Sequence, residues 1–184
     1  MAQINNDKVT NLPYYQIPEY PEEYTPAAVA ARMIDGLGFR YYWATEGLRE
    51  EDLAFKPSAD ARTTRETVDH IFGLSKTILN AIKKVANERT GTTPPLTFEE
   101  KRRHTLENIK QASDLLKASK ADEMVEFKII FKNGDKTTAY PFWNLLNGPL
   151  ADAIWHTGQI VSFRRSSGNP YNAKASLFSG KVRE

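Results

Sequence analysis

The chain contains no cysteine. That absence excludes disulfides, a thiolate nucleophile, and zinc or iron–sulfur sites built on sulfur, and it fits a cytoplasmic protein. Histidine is scarce, with three in 184 residues. No apolar run approaches the roughly 18 residues that cross a bilayer, so no membrane segment is expected. Met1 to Thr10 are polar, so no signal peptide is expected either. An excess of one charge is also missing: 25 Lys and Arg face 23 Asp and Glu, a net charge of +2. The basic cluster Lys101-Arg102-Arg103 is offset by Glu99 and Glu100. Nucleic-acid binding needs a basic face, so no nucleic-acid partner is expected. What remains, 40% hydrophobic and 26% charged, is the make-up of one soluble globular domain.

The first 25 residues carry Pro13, Pro18 and Pro21 among Tyr14, Tyr15, Tyr20 and Tyr24. Proline denies them a helix and tyrosine gives them surface to bury, so residues 1–25 read as an extended arm, packed on the domain or on a partner subunit. Residues 26–184 read as the domain and its tail. Thr25-Pro26 opens a first helix with Val29, Met33, Ile34, Leu37, Tyr41 and Ala44 facing inward, ending near Gly47. Within it, Gly36 and Gly38 mark close helix contact. Thr63 with Glu66 forms a capping box for a second helix, whose core face is Val68, Ile71, Phe72, Ser75, Ile78, Leu79 and Ile82. After a break at Gly91–Pro95, Thr97 with Glu100 caps a third, with Leu106, Ile109, Leu115 and Leu116 inward. Val125 to Phe131, Asn133-Gly134 and Lys136 to Tyr140 predict a small β-hairpin. Pro141 opens the last helix, Gly148-Pro149 kinks it, and Gly168-Asn169-Pro170 ends it, with Leu177 and Phe178 docked beyond. The expected fold is all-α in the main: a four-helix bundle with a hairpin between helices three and four.

Each histidine has an acid four residues before it: Glu66 and His70, Glu100 and His104, Asp152 and His156. Such spacing shares a helix face and arises by chance in an acid-rich helical chain. Setting separates the pairs. A helical wheel places His156 among Leu145, Leu146, Pro149, Ala153 and Ile160, with Asp152 at the edge of that stripe and His70 on the flank of its own. A buried imidazole needs a metal ion or a paired hydrogen bond. His156 is therefore a metal ligand or a core imidazole held by Asp152. His70 is a ligand or the partner of Glu66 in a surface ion pair. His104 sits in a charged run and reads as a surface residue. Gly158 permits close helix packing, Gln159 is an outer donor to the site, and Trp43, Trp143 and Trp155 read as core or pocket-lining aromatics.

Two passages resemble the DinB-like (YfiT-like) superfamily of metal-binding four-helix bundles. One is Gly47-Leu48-Arg-Glu-Glu-Asp-Leu53-Ala-Phe-Lys-Pro57 followed by Thr63-Thr-Arg-Glu66-Thr-Val-Asp-His70-Ile71. The other is His156-Thr-Gly158-Gln159-Ile160. The resemblance spans Pro26 to Pro170. It implies one divalent transition metal (nickel, zinc, manganese or iron) on His70 and His156, with Asp152 where the family has a third histidine. Two histidines and a carboxylate favour harder metals than three histidines do. The resemblance further implies a metal-dependent hydrolase or small-molecule thiol transferase, with Glu66 as a candidate general base, acting as a homodimer on a small-molecule substrate. The contrasting expectation is a non-catalytic metal- or ligand-binding bundle that works through dimerisation or in stress response.

Overall fold

Four long helices carry the fold in a computed structural model that describes residues 12–88 and 95–184. Met1 to Thr10, and Gly91 to Pro94 of the expected chain break, lie outside the described residues. Helix α1 (Pro26–Thr45) starts where Thr25 Oγ1 accepts from Ala28 N at 3.1 Å, with proline at the first helical position. A short α2 (Glu50–Ala54) follows, and then α3 (Thr64–Ile82) and α4 (Phe98–Ala118). Both longer helices open on the capping boxes their sequences announce, Thr63 with Glu66 and Thr97 with Glu100. Helix α1 packs on α4 and α6 (Ala151–Ser166), and α3 packs on the same two. The four long helices thus form a ring in the order α1, α4, α3, α6. The seam that matters below runs between α3 and α6.

Between α4 and the last helical segment, β2 (Lys128–Asn133) and β3 (Lys136–Pro141) form the expected antiparallel hairpin. Its two-residue turn is Gly134-Asp135, one position beyond the Asn-Gly reading. Gly134 has φ +58°, the left-handed backbone that a type II′ turn asks of its first central residue. A two-residue strand, β1 (Asn87–Glu88), adds parallel to β2. A second small pairing, β4 (Ala175–Ser176) with β5 (Lys181–Val182), ties the tail together. Neither was foreseen, because strands this short carry no periodicity.

The arm packs on its own domain. Tyr14 is buried, and its hydroxyl donates to Asp35 Oδ1 at 2.9 Å. Its ring lies where a side chain on Gly38 would go, since a Cβ there would come within 2.5 Å of it. Gly38 therefore admits the arm rather than a neighbouring helix. Trp43 Nε1 donates to Tyr15 O at 3.2 Å, and Ile17 N to Gly180 O at 2.8 Å. The tail so clamps the arm onto α1.

Several inward assignments are corrected. Val29 and Met33 of α1, and Leu115 of α4, are exposed: among the described residues no element buries those strips of the ring. Phe178 stands free in solvent and Leu177 is exposed: Ala175 is the tail's buried apolar anchor. A Cβ on Gly158 would meet open space, so that glycine serves no helix contact.

Candidate metal centre

Helix α3 presents His70 in its second turn. Upstream, Thr63 Oγ1 accepts from Glu66 N at 3.1 Å, while Glu66 Oε2 accepts from Thr63 N at 2.7 Å and Thr63 Oγ1 at 2.9 Å. These bonds, the backbone one first, hold the Glu66 carboxyl below its ordinary range. Glu66 is thus an ionised cap, and none of these bonds directs it toward His70.

The last helical segment is interrupted. After α5 (Phe142–Leu145), residues Leu146–Leu150 form a π turn, with Gly148 at φ −96°, ψ −107° and Pro149 within it. The expected kink is present. A turn closed from i to i+5 holds one extra residue, so everything downstream rotates by about 100° relative to a continuous helix. This corrects the placement of His156. The buried stripe of α6 is Ala153, Thr157, Ile160 and Arg164, and His156 lies on its flank. Trp155 lies on the far side of α6 from that stripe and is 73% exposed, so it is not a core aromatic. Trp143 is likewise exposed on α5, while Trp43 is buried as expected.

Off-centre, His156 and Asp152 meet His70 across the seam. Asp152 Oδ2 lies 2.9 Å from His70 Nε2, and Asp152 Oδ1 lies 3.2 Å from His156 Nε2. The two imidazoles stand nearly perpendicular, with ring centroids 4.6 Å apart. One ligand atom from each residue falls within 4.8 Å of the others, so His70, Asp152 and His156 form a group that could hold a metal ion. Their side chains are 33%, 39% and 17% exposed, respectively. The site is an open-sided notch at the bundle surface. A cation bound at about 2.1 Å places neighbouring ligand atoms about 3.0–3.4 Å apart, which the two carboxylate–imidazole distances already approach.

His156 Nδ1 lies 2.7 Å from Gln159 Oε1, an atom that only accepts, so the Nδ1 proton goes to Gln159. Gln159 is therefore an acceptor, not the expected donor. The other ring nitrogen, Nε2, faces Asp152 Oδ1, so the carboxylate and Gln159 hold the imidazole from both sides. Two imidazole nitrogens and a carboxylate are an ordinary donor set for zinc, nickel, manganese or iron, and leave coordination positions for water or substrate. His104 has no part in it: its Nδ1 faces Glu107 at 3.2 Å on the surface of α4.

The spacing of Asp152 and His156 was legible in sequence. The meeting of Asp152 with His70, 82 positions away, was expected only through the family resemblance. Nothing local signals it, because it depends on α3 and α6 being adjacent in the ring. No family model, curated protein or solved structure matches this chain.

Proposed function

We propose that this chain is a metal-dependent protein of the DinB-like kind, with His70, Asp152 and His156 holding one divalent transition metal. The observation that carries the reading is the convergence of those three side chains from two helices, with both imidazole Nε2 atoms turned to one carboxylate. A bound divalent cation would lower the pKa of a coordinated water or small-molecule thiol, the chemistry of a hydrolase or thiol transferase. The chain's own part is to orient. Gln159 fixes the tautomer of His156, and Asp152 spans both rings. The π turn sets the phase that brings Asp152 to the seam. The reading includes a homodimer.

Elemental analysis of protein purified without chelator tests it. About one transition metal per chain is expected, lost in His156→Ala. A wild-type chain that takes up no nickel, zinc or manganese on soaking overturns the proposal. A second reading, a metal-binding bundle without catalysis, draws support from Glu66, whose carboxylate is engaged as a helix cap. Turnover of ester and thiol substrates by the metal-loaded chain separates the two. Light scattering on the full chain decides the dimer.

A further inference from the structure

A second concavity shares no residue with the metal triad. It lies between the first half of α1, the short 3₁₀ helix Ala121–Val125, and α5, is open on one side, and measures ≈ 680 Å³. Its lining includes Met33, Met124, Phe142 and Leu146, with Tyr24 and Trp143 among them. Those two rings are 97% and 76% exposed, an unusual state for large aromatics that face a cavity.

The chemistry of the lining selects an occupant. None of the eleven lining residues is charged, although charged residues make up 26% of the chain. The only polar side-chain atoms among them are the Tyr24 hydroxyl and the Trp143 indole nitrogen. A charged guest would lose its hydration with nothing to replace it, so the guest is uncharged. Volume narrows the choice further. Small-molecule sites occupy roughly 300–1,000 Å³ and are lined mainly by apolar and aromatic groups with a few polar atoms. Paired methionines add an adaptable, polarizable wall suited to ring systems.

We propose that this recess is a binding site for an uncharged, ring-bearing apolar small molecule, oriented by one or two hydrogen bonds to Tyr24 and Trp143. The site is independent of the metal centre. Its function does not require that centre to be occupied.

N-phenyl-1-naphthylamine, an uncharged aromatic fluorophore, is the probe. Titrated into the full-length chain, it is expected to bind saturably at one site per chain. Met33→Glu places a charge in the lining and is expected to weaken binding at least tenfold. Trp143→Ala is expected to weaken it severalfold. Trp155→Ala is the control, because Trp155 is about as exposed but lies outside the recess. It should leave binding unchanged. Met33 is half exposed, so its variant should fold, and far-UV circular dichroism checks that. Unsaturable binding, or equal loss in the Trp155 and Trp143 variants, overturns the proposal. So does release of the probe as the chain self-associates, with Met33→Glu restoring the monomer: the occupant is then a second copy.

Discussion

Two carboxylates in this bundle, Asp35 and Asp152, each join two side chains, and they differ in what their partners can give. Asp35, wholly buried on α1, receives the Tyr14 hydroxyl at 2.9 Å and the Lys117 ammonium at 2.6 Å. Both are donors, and the set is complete. Burial first, and the Asp35 charge second, push the Tyr14 hydroxyl far above the usual tyrosine range, so it remains a donor. Asp52 follows the same pattern on α2. Arg49, and then Ser167 and Asn169, hold its carboxyl well below the usual range. Asp152, 39% exposed, instead faces the Nε2 atoms of two imidazoles, each of which can give either a proton or a lone pair. A carboxylate surrounded by donors holds a fold together. One shared between two imidazoles can share a cation with them.

The largest effect should come from breaking the closed set. Asp35→Ala leaves the Tyr14 hydroxyl buried without an acceptor and Lys117 without its counter-charge. Removing one member of a buried pair costs about 3–5 kcal/mol, and Lys117, a quarter exposed, places the expected loss near about 3 kcal/mol. For a chain of this length that lowers the thermal midpoint by roughly 10 °C. Metal uptake should be unchanged. Asp152→Ala should do the reverse, abolishing metal uptake while moving the midpoint of the metal-free chain by only a few degrees. Calorimetry with and without chelator reads both. Equal destabilisation by the two variants would show that Asp152 is a structural bridge like Asp35.

Next come substitutions that keep Asp152's shape or change its donor atom. Asp152→Asn removes the charge and should weaken every metal by more than the ~100-fold at the upper end for outer partners of a metal site. Asp152→His exchanges carboxylate oxygen for imidazole nitrogen and should shift preference toward nickel and zinc and away from manganese. Competition titrations give both ratios. Indifference of all three metals to both changes would remove Asp152 from the ligand set.

The contrast also marks what the sequence could reveal. Local chemistry was legible: Thr63 with Glu66, Thr97 with Glu100, and Pro26 at a helix start all sit where they were read. So was the hairpin, one residue out of register at its turn. Helical phase across Gly148-Pro149 was not legible. Periodicity assumes about 100° per residue, and a π turn breaks that assumption without leaving a mark on either side. His156 was misplaced for that reason, whereas Trp155 lies opposite the buried stripe of α6 itself. Val29, Met33 and Leu115 failed differently: they lie off the buried stripes of their helices, and among the described residues no element covers them. The arm's Tyr14 against Gly38, like His70 against Asp152, is a long-range contact, which neighbours in sequence cannot announce.

A smaller effect tests how His156 is oriented. Gln159→Leu removes the acceptor for the Nδ1 proton, so Nε2 is no longer fixed as the deprotonated nitrogen. Metal affinity should fall about tenfold, the lower end for an outer partner. Gln159→Glu supplies a stronger acceptor and should retain or tighten binding. Thermal stability should not separate the two variants, since Gln159 is half-buried and its bond is local. Loss in both variants would mean that the amide contributes contact rather than tautomer control.

The smallest effect falls on Glu66, where cap and general base make opposite demands. Glu66→Gln keeps an oxygen to accept from the Thr63 backbone, as a capping box allows, but removes the basic carboxylate. If capping is its whole role, the thermal midpoint moves by no more than about 2 °C and metal affinity stays the same. Turnover, where a substrate is found, stays within about twofold. Glu66→Ala also breaks the cap and should lower the midpoint further, still without touching the metal. A carboxylate drawn below its ordinary range by hydrogen bonds is a weaker base than a free one. A drop in turnover of tenfold or more in Glu66→Gln, at unchanged stability and metal content, would restore Glu66 as the base and end the non-catalytic reading.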